Sequence, residues 1–156
     1  MRSSTHKALR PSVPAISVEL MAGKKIKGRK RHIVVDTLGN LLSVVVHAAN
    51  IHDTKGGILA AQKALAKYPS IRRFCADAGY RGTFEKDICK KHRIGVDISE
   101  RIKPKEWSIL AWRWIVERTF SWFTHSRRLS KDYDITILSA ESVVKLSHIK
   151  TLLQRL

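Results

Sequence analysis

From residue 33 onward, apolar positions follow first a strand period and then a helical one. Ile33-Val34-Val35-Asp36 is a short β-branched stretch, and Leu41 to Ala48 is a second run too apolar for an exposed edge. Thr37-Leu38-Gly39-Asn40 between them reads as a tight turn, with Gly39 supplying the permissive position of a β-hairpin. Asp53-Thr54 is placed to cap a helix whose stripe is Ile58, Leu59, Ala61, Gln62, Leu65 and Ala66, and Pro69 ends it. Residues 71–76 form a third strand, followed by the loop Asp77-Ala78-Gly79-Tyr80-Arg81-Gly82. Thr83 then caps a short helix through Cys89 and His92, and residues 94–98 form a fourth strand. The strongest helix signal runs from Ser108 to Leu129 behind Pro104, with Ile109, Trp112, Val116, Phe120 and Phe123 on one face. A last helix, residues 140–153, carries Val143, Val144, Leu146, Ile149, Leu152 and Leu153. The order β-β-α-β-α-β-α-α predicts an α/β layer structure. Residues 1–22, with Pro11, Pro14 and no sustained period, read as an irregular leader to one domain over 23–156.

Charge changes the picture next. Thirty Lys and Arg stand against 13 Asp and Glu, a formal net charge of +17 and a pI near 10.4. Self-repulsion of that size is relieved by a polyanion, and phosphate contacts release condensed counterions, so nucleic acid is the expected partner. The basic run of residues 23–32 holds much of this charge. No apolar run approaches the roughly 18 residues of a membrane span, and no apolar h-region follows the start. The expectation is a soluble protein of the bacterial cytoplasm, associated with the nucleoid and with no membrane partner. Cys75 and Cys89 lack zinc-type spacing and read as reduced, buried thiols in apolar contexts.

Acidic residues are few, so each bears weighing. Asp77 follows an apolar strand and precedes a glycine-bearing loop, where ligand groups gather in open α/β sheets. It reads as a cation ligand or as a loop-starting cap. Glu117 lies mid-helix among three tryptophans and a phenylalanine, with Arg113, Thr124 and Arg128 on the same face. It reads as an ordinary ion pair with Arg113 or as a partly desolvated metal ligand. Phosphoryl transfer beside a polyanion gives the two carboxylates a common purpose, because hard cations take carboxylate oxygens. Asp36, before Thr37-Leu38-Gly39, reads as a turn residue.

The chain resembles the DDE-type insertion-sequence transposases of the insertion-sequence four and five superfamily over residues 23–156. Residues 24–39 and 47–53 resemble the family's hairpin signature and its continuation. Residues 76–82 match the motif of the second catalytic Asp, which places that role on Asp77. Residues 113–122 match the motif of the catalytic Glu, placing it on Glu117, and Arg127-Arg128-Leu129 with Asp132-Tyr133 continue the signature. The resemblance implies a ribonuclease H-like fold and DNA strand cleavage and transfer with Mg²⁺ (or Mn²⁺) on Asp77 and Glu117. It also implies double-stranded DNA at transposon ends as partner, with a homodimer on DNA as a candidate assembly. The expected DNA-contacting residues are Lys24, Lys25, Lys27, Arg29, Lys30, Arg31, Arg113, Arg118, Arg127 and Arg128.

One departure stands out. The first catalytic Asp of such a site belongs to a strand upstream of the basic run, yet residues 1–22 hold no Asp and only Glu19 as an acid. The fold expected is therefore truncated, lacking its first strand, and the enzyme inactive, or a non-catalytic DNA-binding remnant. Val18-Glu19-Leu20-Met21-Ala22 can be encoded GTG GAA TTG ATG GCG, which reads Gly-Ile-Asp-Gly in another frame. Family members tend to show Asp-Gly before such a Gly-Lys-Lys, so a frameshift near Gly23 is the expected origin of the leader.

Overall fold

The structure is a computed structural model that describes residues 15–20, 28–99, 113–131 and 133–155, with 15–20 and 113 as backbone alone. Its core is a five-stranded sheet in the order β3-β2-β1-β4-β5. The strands are β1 (Ala15–Leu20), β2 (Arg29–Val35), β3 (Leu41–Ala48), β4 (Arg73–Ala76) and β5 (Gly95–Ile98). β1 pairs antiparallel with β2 and parallel with β4, so it occupies the centre of the sheet.

The expected truncation is thereby corrected: the first strand is present, inside the stretch read as an irregular leader. Its sequence, Ala-Ile-Ser-Val-Glu-Leu, alternates apolar and polar as a strand should. Six residues beside two prolines are too few for that alternation to stand out. Pairing partners on both sides supply what the local signal lacks.

The hairpin forms as read. Asp36 takes the turn role, its carboxylate accepting from Leu38 N (2.9 Å), Asn40 N (2.8 Å) and Asn40 Nδ2 (2.9 Å). Gly39 adopts φ +87°, which favours glycine.

Among the described residues four helices cover the sheet: α1 (Asp53–Lys67), α2 (Thr83–His92), α3 (Arg113–Thr124) and α4 (Ile137–Leu153). Ile33, Val35, Val44 and Cys75 pack with Val116, Phe120, Phe123 and Val144 of α3 and α4. Val34, Phe74 and Ala76 pack with Ala60, Ala61 and Ala64 of α1 and Phe84 and Ile88 of α2. β2 is apolar at three successive positions because both of its faces are covered.

Several boundaries differ from expectation. His52, rather than Asp53, caps α1, since its ring accepts from Thr54 N while Asp53 pairs with Lys30. Gly82, with no side-chain cap bond, precedes α2 in place of a Thr83 cap. α3 stops at Thr124, whose hydroxyl bonds back to Ser121 O (2.7 Å), and a separate 3₁₀ turn spans Arg127–Leu129. Pro104, Ile109 and Trp112 lie outside the described residues. α4 begins three residues early, at the Thr136 cap. Its buried side is Ala140, Glu141, Val144, Ser147 and His148, whereas Leu146, Ile149 and Leu153 are exposed. Cys75 is buried, and burial raises its pKa, but Cys89 is exposed on the outer side of α2.

Candidate metal and nucleic-acid site

β4 ends at Ala76, and Asp77 continues it in extended conformation (ψ 162°). Phe74 and Ala76 face α1 and α2 while Cys75 faces α3 and α4. Strand alternation thus turns Asp77 toward the side of the sheet that α3 covers. One carboxylate oxygen accepts from Ala78 N at 2.7 Å, capping the 3₁₀ turn Ala78–Tyr80. Asp77 is therefore a cap, and its second oxygen makes no hydrogen bond among the described residues.

That turn is pinned from below. Tyr80, 2% exposed, sets its hydroxyl 2.7 Å from His32 Nδ1, and His32 stacks on His47 with ring centroids 4.7 Å apart. His47 Nδ1 lies 2.8 Å from Ala48 O, so that nitrogen carries the proton. Gly56 and Gly57 let the first turn of α1 press onto these rings. A Cβ on Gly56 would lie 2.1 Å from His47 Nε2 and 2.4 Å from His32 Nε2, and one on Gly57 would lie 2.3 Å from Tyr80 Cε1. Burial, then the neighbouring His47, lowers the His32 pKa to about 4, with Asp53 opposing. Sequence reasoning missed this cluster. Its one signal was a pair of adjacent glycines inside a helix, which is costly unless something packs closely there.

On α3, Ile115, Val116 and Thr119 are buried and Glu117 is exposed. The expected desolvation of Glu117 by aromatic neighbours is corrected: the rings of Phe120 and Phe123 turn inward while the carboxylate turns out. The helix ends before Arg128, which instead pairs with the buried Asp134 at 3.3 Å. Arg113's side chain lies outside the described residues.

Continuing the β1–β4 register one step past Ser17–Ala76 sets Val18 level with Asp77, at the position paired with Ile33. Glu19 pairs with His32, whose ring lies on the α1 side. Among the described residues no three His, Cys, Asp or Glu side chains gather as a metal cluster. Asp77 and Glu117 offer hard carboxylate oxygens of the kind Mg²⁺ takes, but only two such groups.

Much of the basic set holds the chain itself. Arg29 donates to Asp134 O and Ile135 O, both at 2.7 Å. Lys30 donates to Ile51 O (3.1 Å) and pairs with Asp53, and Arg31 reaches Leu129 O at 3.4 Å. Arg118 donates to Leu38 O (3.1 Å) between the rings of Trp114 and Trp122, 4.4 and 4.9 Å from their centroids. Arg127 is exposed, and Lys24, Lys25 and Lys27 lie outside the described residues, as does Asp132.

A sheet of order 3-2-1-4-5 with one antiparallel and one parallel partner on its central strand, flanked by helices on both faces, is a ribonuclease H-like domain. Solved retroviral integrase cores share it. The catalytic core domain of BIV integrase superposes with a TM-score of 0.59 at 13% identity, over 89% of this chain and 82% of that one. The HTLV-2 integrase catalytic core domain in complex with magnesium gives 0.57 at 15% identity, over 88% and 86%. The chain belongs to the Transposase DDE domain family, whose model matches residues 19–136. It is 29% identical over 109 residues to a protein of Burkholderia cepacia named for the transposase of insertion sequence element IS402. That match covers 65% of this chain and 52% of the relative, so the chain spans about half the relative's length. Among the described residues no helix is long and apolar enough to cross a membrane.

Proposed function

We propose that this chain is the catalytic domain of a transposase of the insertion-sequence four and five superfamily, and that as it stands it binds duplex DNA without cutting it. The observation that carries the reading is β1. The strand sits at the centre of the sheet, but the residue level with Asp77 is Val18, and Glu19 is one step on, in register with His32. Asp77 and Glu117 are the residues that would hold Mg²⁺ or Mn²⁺. When bound, such an ion supplies Lewis acidity to a phosphoryl oxygen and a more acidic attacking water. The chain's own part is to keep Asp77 in place through its cap on Ala78 and the Tyr80–His32 bond. With only two carboxylates, the clamp that orients nucleophile and leaving group is incomplete, and losing cooperating groups costs orders of magnitude in rate.

Binding to double-stranded DNA, at transposon ends in the full element and as a homodimer there, is supported by the net charge of +17. The exposed Arg127 and Arg128 supply cations beside α3. Affinity is expected to fall steeply with salt. The deciding experiment compares nicking of a supercoiled plasmid carrying the element ends, in Mg²⁺ or Mn²⁺, by the natural chain, Val18→Asp, and Val18→Asp with Asp77→Asn. Only Val18→Asp is expected to nick. Metal-dependent nicking by the natural chain that Asp77→Asn abolishes would refute the claim of inactivity.

A further inference from the structure

A cavity of about 270 Å³ lies between β2 and the helices α3 and α4, walled by Ile33, Phe120, Phe123, Leu129 and Val144. Arg31 reaches into this apolar space from β2. Among the described residues its guanidinium has no ion-pair partner. Among those residues its single hydrogen bond, to Leu129 O, is long at 3.4 Å, and its Nε is buried without a partner. A cation so placed is stabilised by an anion, and the walls favour an apolar body.

We propose that this cavity is a binding site for a small aromatic carboxylate, its ring against Phe120 and Phe123 and its carboxylate on Arg31. Size sets the body: a dry cavity of about 150 Å³ lined by Leu, Ile and Phe holds benzene, so this one holds two fused rings. The aromatic wall is already set, with Phe120 and Phe123 edge to face at 6.2 Å. Orientation follows from the two hydroxyls at the lining. Thr124 Oγ1 already donates to Ser121 O (2.7 Å) and Ser130 Oγ to Arg127 O (2.8 Å), so both turn lone pairs to a ligand. An anion is repelled there and drawn to Arg31. An occupant would brace the C-terminal turn of α3, about two turns beyond Glu117.

The test is methyl-resolved NMR titration of the full chain with 1-naphthoate. The expected result is saturable shifts of the Ile33, Leu129 and Val144 methyl signals, with Kd on the order of 1 mM for a ligand of this size. The neutral isostere 1-naphthalenemethanol should bind the natural chain at least tenfold more weakly. Arg31→Met, which keeps an apolar stem, should lose the preference for the carboxylate, whereas Arg31→Lys should keep part of it. Shifts that spare those three residues, or equal binding of the neutral isostere to the natural chain, would overturn the proposal. The isostere comparison stands even if Arg31→Met does not fold.

Discussion

Two of the helices that cover the sheet, α1 on one face and α4 on the other, meet it on different principles. Under α1 and α2, small residues meet large rings: Gly56, Gly57, Ala60, Ala61 and Ala64 lie against the layer that holds His32, Val34, Phe74, Tyr80 and Phe84. Under α4 the inward side carries Glu141, Ser147 and His148, while Leu138, Leu146, Ile149 and Leu153 stay exposed. The reason lies in β3, an edge strand whose outer backbone groups need partners. Glu141 accepts from Val46 N (3.4 Å) and from Lys63 Nζ (2.6 Å), and Lys63 also donates to Val44 O (3.0 Å). Leu41 N donates to His148 Nε2 at 3.0 Å. α1 is thus oriented by close packing, α4 in large part by the hydrogen-bonding needs of a backbone. Apolar periodicity finds the inward side of α3, where Val116, Phe120 and Phe123 are buried, but misses that of α1, where Leu59 and Ala66 are exposed and Gly56, Gly57, Ala60 and Ala64 are buried, and that of α4.

The sharpest way to break this contrast is Gly56→Ala. Its new methyl would enter two stacked imidazoles, and a loss of about 3 kcal/mol in urea unfolding is expected, the upper end for overpacking. A gain of about 1 kcal/mol, the helix-propensity effect alone, would show that the rings yield. Acid tests both faces together. His32 has a folded pKa of about 4, below its ordinary 6.5, and burial lowers that of His148 as well. The unfolded chain therefore binds more protons, so this stability is complete above pH 6.5 and is lost as pH falls toward 4. About 2 kcal/mol should disappear between pH 7 and 5 from His32 alone. A denaturation midpoint constant over that range would remove both imidazoles from the account. Glu141→Ala, which strands Val46 N and unpairs Lys63, should cost about 1–2 kcal/mol, measured the same way. Smallest of all, Leu146→Lys on the outer side of α4 should shift stability by less than about 0.5 kcal/mol. A larger loss would mean that the residue packs against something.

What the sequence disclosed was what is local. The hairpin at Asp36–Asn40, the helices after Asp53 and Thr83, and the strand ending before Asp77 were legible, because turn residues and apolar periods are local. So was the turn role of Asp36. The cap that Asp77 forms is one of the two readings that its place after the strand left open. Three things were hidden. The β1 alternation is too short to be seen without its neighbours. The Tyr80–His32–His47 cluster joins residues 48 positions apart, which no local pattern reveals. The internal duties of Arg29, Lys30 and Arg118 were also invisible, since a guanidinium that grips carbonyls reads like one that faces solvent.

The placement of β1 bears on how such a domain decays. Its pairing is guaranteed from both sides by β2 and β4, so its own letters need only alternate. Catalysis, by contrast, would hang on one letter of it. A lineage can therefore lose the chemistry at that strand while the domain still folds, escapes proteolysis as a misfolded chain and keeps its hold on DNA.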